Sequence, residues 1–81
     1  MQLRFTQHAR ERMLERNVTE DEVHATVAMS ESAKNTPQRS RRFERILGDK
    51  TLRVWVVWPP QAKDRFLVKT VAWKGEDNGW D

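Results

Sequence analysis

The chain has 81 residues with 37% hydrophobic and 33% charged side chains and no cysteine, enough for one small domain with one two-layer core. That length excludes an enzyme built from a cofactor-binding half and a substrate half, and the lack of cysteine excludes disulfides, thiolate metal sites and a Cys nucleophile. The net charge of +3 is unevenly spread, with residues 1–33 at −2, residues 34–53 at +5 and residues 54–81 at 0, so one 20-residue stretch carries the basic excess.

The first helix is expected from about Gln7 to Arg16, capped by Thr6 and closed by Asn17, which tolerates a left-handed backbone. The second has a stronger start. Thr19-Glu20-Asp21-Glu22 fits a capping box, Val18 and Val23 stand at hydrophobic-staple positions, and three acids complement the helix dipole. It should run to about Met29, with Val23, Thr26 and Val27 facing inward. Ser30 to Gln38 is a polar connection with room for a short edge strand.

The period then changes from helix to strand. Arg39 to Leu47 reads as a strand, Gly48-Asp49-Lys50 as a turn, and Thr51 to Trp58 as a strand with Leu52, Val54, Val56 and Trp58 on one face. Pro59-Pro60 ends it, because proline cannot donate to a ladder. Arg65 to Trp73 reads as the last strand, with Phe66, Val68, Thr70 and Ala72 on one face and Leu67, Val71 and Trp73 on the other. The sum is an α+β domain over residues 1–74, two N-terminal helices packed on a three- to four-stranded antiparallel sheet, followed by an acidic, flexible tail, 75–81, in which Trp80 could dock.

Chemistry concentrates in two places. On the first helix His8, Arg12 and Arg16 recur every four residues as a cationic ridge beside the apolar stripe Phe5, Ala9 and Met13. The plain structural alternative is that these arginines pair with Glu11, Glu15 or Glu20. The second place is the basic stretch with Arg39, Arg41, Arg42, Arg45 and Arg53, a surface that would attract RNA or an acidic protein. Its face is open: with Phe43 turned to the helices, Arg41 and Arg45 approach the His8 ridge, whereas with Ile46 turned inward Arg42 replaces them. Trp55 and Trp73, opposite the Leu52 and Phe66 faces, either pack or form an exposed pair that would serve base stacking or a homodimer contact. His24 reads as a surface residue. Two histidines without cysteine or a carboxylate cluster give no metal or cofactor expectation.

The string Phe5-Thr6-x-His8-Ala9-x-x-Arg12-Met13-x-x-Arg16, then Val18-Thr19-x-x-Glu22-Val23, resembles the start of the domain-of-unknown-function 4258 family. The basic entry Arg39 to Phe43, the strand Leu52 to Val57 and the strand Val68 to Val71 extend the likeness over about residues 3 to 73. Families of this kind are similar to the ribonuclease superfamily of barnase, EndoU, colicin-type and RelE-like toxins. That resemblance implies an endoribonuclease of toxin type working without metal, with His8, Arg12, Arg16 and Thr70 catalytic and one or more of Arg41, Arg42 and Arg45 on the phosphate, while the lack of cysteine fits a reducing cytoplasm. It further implies RNA as partner, free or on the ribosome, and an antitoxin protein. The chain has no tyrosine, although several such toxins use an aromatic hydroxyl. The alternative function on the same scaffold is a non-catalytic module that binds RNA or protein.

Overall fold

A computed structural model describes residues 1–76; Trp80 and most of the acidic tail lie outside the described residues. Five strands and two helices follow in the order β1 (Gln2–Phe5), α1 (Gln7–Arg16), α2 (Glu20–Ala28), β2 (Ser32–Thr36), β3 (Ser40–Leu47), β4 (Lys50–Val57) and β5 (Arg65–Trp73). They form one sheet in the order β1-β5-β4-β3-β2, in which β1 runs parallel to β5 and every other pair is antiparallel.

The α+β class and the two helices agree with the sequence expectation, but the sheet is a correction. It is five-stranded and mixed, and a strand precedes the helices. β1 is only four residues long and pairs with the last strand in the chain, so no local hairpin signal announces it. The polar segment Ser32–Thr36 is a full edge strand, paired residue for residue with β3.

The helix ends form as their side chains dictate. The Thr6 hydroxyl accepts from the Ala9 N–H at 3.0 Å, and Asn17 closes α1 at φ 55°. At α2 the Glu22 N–H donates to the Thr19 hydroxyl at 3.1 Å and the Thr19 N–H to the Glu22 carboxylate at 2.9 Å. Val18 and Val23, the staple pair, are buried.

Both helices cover one side of the sheet. Ala9, Met13, Val23 and Val27 pack there with Phe43, Leu52, Val54, Val56, Val68 and Val71, while Phe66, Trp58 and Trp73 border this core. A β-bulge decides which residues of β5 join it. Val54 stands opposite Val71 and Trp55 opposite Thr70, but Val56 stands opposite Val68, so Lys69 is the extra residue. Strict alternation puts Val68, Thr70 and Ala72 on one face; the bulge instead moves Val71 and Trp73 to the helix side with Val68, and turns Thr70 and Ala72 away from it.

The β2–β3 turn, Pro37 to Arg39, holds two successive left-handed residues, Gln38 at φ 64° and Arg39 at φ 54°. Such conformations cost non-glycine residues of order 1–3 kcal/mol each and persist where neighbours fix them. Here the Trp58 N–H donates to the Arg39 carbonyl at 2.8 Å and the Lys69 ammonium to the Gln38 carbonyl at 2.9 Å.

Candidate functional site

The five strands contain nine Lys or Arg residues and a single acid, Glu44. Alternation and register divide the cations unequally. Arg41, Arg45 and Lys50 fall on the helix side with Phe43, Leu47 and Leu52, whereas Arg4, Lys34, Arg42, Arg53, Arg65 and Lys69 belong to the opposite face with Glu44. That face is cationic because the sequence alternates charge with core residues through β3 and β4, and because Arg65 and Lys69 alternate with the inward Phe66 and Val68 ahead of the bulge.

Across the middle of this face the register aligns Thr70, Trp55, Arg42 and Lys34 on neighbouring strands, with Ala72, Arg53, Glu44 and Ser32 in the next row. Trp55 is 0% exposed, Thr70 2% and Arg42 9%, so they form a floor. Arg53 and Lys69 are half-buried and stand at its border. The Glu44 carboxylate ties two guanidiniums together, with Oε2 at 3.3 Å from Arg42 Nε and 2.5 Å from Arg53 Nε. The Lys69 ammonium reaches across β4 to donate to the Ser40 hydroxyl at 2.7 Å.

The first helix starts at the edge of β5. β1 ends at Phe5, so the remainder of that edge is taken by α1. The Thr6 N–H donates to the Val68 carbonyl at 3.1 Å and the Thr6 hydroxyl to the Lys69 carbonyl at 3.0 Å. His8, half-buried, follows two residues later in the first turn of α1. Its neighbours in the ridge are engaged elsewhere: Arg12 pairs with Glu15, while Arg16 donates to the Val71 carbonyl at 3.2 Å. The Trp73 indole returns a bond to the Arg16 carbonyl at 2.9 Å. Arg16 is therefore a clamp between the end of α1 and β5. Arg10, not Arg12, pairs with Glu20.

The five strand arginines named from sequence do not share one surface. Phe43 is in the core, which puts Arg41 and Arg45 on the helix side, but there they meet the end of α2 and Trp58 rather than the His8 ridge. Arg45 donates to the Met29 carbonyl at 2.9 Å, and Arg41 donates to Asn35 at 2.6 Å with its guanidinium 4.8 Å from the Trp58 ring centre. Arg39 is exposed in the turn. Arg42 and Arg53 are the two that come together, and Thr70 lies in the row beside them.

The tryptophan pair read from the sequence also separates. Trp73 borders the core, with Lys50 5.4 Å from its ring centre, and Trp55 is buried on the opposite face. Glu44 carried a usable signal as the lone acid in an otherwise basic strand, and Lys69 one as the alternate of the buried Val68. Among the described residues no three His, Cys, Asp or Glu side chains gather to hold a metal ion, and no helix is long and apolar enough to cross a membrane.

No curated protein and no solved structure matches the chain. The family model described as a domain of unknown function, DUF4258, matches residues 5–73, from the last residue of β1 through the end of β5, and so takes in the helices, the bulge and the cationic face apart from Arg4. The chain belongs to the DUF4258 family.

Proposed function

We propose that this domain binds RNA on the sheet face away from its helices and cleaves it there, as an endoribonuclease of toxin type that uses its own acid–base and cationic groups. The observation that carries the reading is the segregation of strand cations, six of nine on one face with one acid that joins two of them. Phosphodiesters are the polyanions such a surface attracts.

The chemistry draws on His8 at the start of α1 and on the cations of the face. Arg53 and Lys69 take the phosphate, with Arg42 beneath them adding charge and Glu44 fixing both guanidiniums in place. The RNA 2′-oxygen attacks phosphorus and the bond to the 5′-oxygen breaks. His8 takes the 2′-hydroxyl proton, and water protonates the leaving oxygen. Cations already in place offset the charge that builds on the phosphorane. Thr70, in the floor, positions the phosphate site.

A second reading, an RNA-binding module without catalysis, is favoured by one observation: Arg12 and Arg16 are bonded to Glu15 and to the Val71 carbonyl. The test is cleavage of labelled single-stranded RNA by wild type and His8→Ala in EDTA, with ribosomes present and absent. Cleavage that leaves 2′,3′-cyclic phosphate ends and falls about 10²–10⁴-fold in His8→Ala is expected. Salt-sensitive binding with no cleavage by wild type in either condition overturns the catalytic reading and leaves the second.

A further inference from the structure

At the end of the same face a groove of about 430 Å³ opens between β1, β5 and the β4–β5 loop. That volume is within the range of small-molecule sites, about 300–1,000 Å³. Its floor is apolar: Leu67 is 39% exposed, and Val57 and Pro60 complete it. Arg4 and Arg65 line the groove. The register sets Arg4 opposite Leu67 and Gln2 opposite Arg65, so the two arginines stand on adjacent strands and on the face that Leu67 shares.

Both arginines are exposed, and among the described residues neither side chain has a hydrogen-bond or ion-pair partner. Every other arginine on this face is bonded within the fold. Gln61, at the rim, offers a donor and an acceptor together.

From this arrangement we infer that the groove is a nucleotide subsite for single-stranded RNA, in which the base lies on Leu67, Val57 and Pro60 and its phosphate is held by Arg4 and Arg65. The chemistry matches each part. An apolar floor takes the face of any base, the Gln61 amide can meet a base edge, and two guanidiniums suit a phosphate. A stacked duplex cannot deliver an unpaired base to the groove, so single strands are the substrate class. The inference deepens the reading of the sheet face as an RNA surface and adds an anchor remote from Thr70 and Arg53.

The experiment is a titration of ¹⁵N-labelled protein with adenosine 5′-monophosphate, followed by amide shifts, beside inorganic phosphate as control. The same protein and its Arg4→Ala/Arg65→Ala double variant are then assayed for single-stranded and duplex RNA binding. Saturable shifts at Gln61, Ala62 and Leu67, absent with phosphate alone and weakened at least about tenfold in the double variant, are expected. The double variant should also lose single-strand affinity, with a salt slope smaller by about 1.4, and lose less of its duplex affinity. Shifts confined to residues around Lys69 and Thr70 overturn the subsite while leaving the RNA face intact. Shifts confined to the groove, with no RNA bound at Lys69 and Thr70, support the subsite and overturn the wider reading. No shift at the groove overturns the subsite whatever the RNA result.

Discussion

The Thr6 hydroxyl donates to the Lys69 carbonyl at 3.0 Å while accepting from the Ala9 N–H at 3.0 Å. One side chain thus starts α1 and ties that start to the β5 bulge, which fixes where His8 stands relative to Lys69 and Thr70. Thr6→Val keeps the shape and removes both bonds. It should lower stability by about 1–2 kcal/mol, read as an earlier urea midpoint with an unchanged slope. Thr6→Ser should recover most of the loss.

The direction of β3 separates two residues that look alike in sequence. Phe43 is buried in the core and Ile46 is 56% exposed on the other face. Phe43→Ala should cost about 3–5 kcal/mol and Ile46→Ala less than about 0.5 kcal/mol in urea unfolding. Comparable losses would mean that the strand register is wrong.

Glu44 links stability to binding with opposite signs. Its carboxylate is shared by Arg42 and Arg53, all three side chains being mostly buried. Removing the shared carboxylate takes an anion out of a mostly buried charged cluster, so Glu44→Gln should lose about 1–3 kcal/mol of stability. The same change makes the face more positive and should tighten RNA binding, most visibly at low salt. Calorimetric unfolding and a binding titration on one preparation would read both effects.

Much of the architecture was legible because it is local. Thr6, Asn17 and the Thr19–Glu22 box announce both helices through short-range capping chemistry, and Leu52, Val54 and Val56 mark the inner face of β4 by simple alternation. Non-local features were hidden. β1 gains its meaning only by pairing with Arg65–Val68 some sixty residues later. The bulge at Lys69 reverses the faces of Thr70, Val71, Ala72 and Trp73, which no periodicity within β5 reveals. Of the candidate site, Arg42, Arg53 and Thr70 were named and do share a face. The basic run around them looked like one surface, yet the pleat sends Arg41 and Arg45 to the helix side. Arg4 and Arg65 are isolated arginines in sequence that come together only through the β1–β5 pairing.

The most direct test of the RNA face compares Arg53→Gln with Arg45→Gln in one salt-dependent titration against single-stranded RNA. Glu44 stands opposite Arg53 and Arg45 opposite Leu52, so the two arginines are close in register, both half-buried and on opposite sides of the sheet. With both variants folded by circular dichroism, Arg53→Gln should weaken binding about tenfold, near 1.4 kcal/mol, and flatten the salt slope by about 0.7, while Arg45→Gln stays within about twofold of wild type. Equal losses, or a larger loss in Arg45→Gln, would contradict the assignment of RNA binding to the face away from the helices.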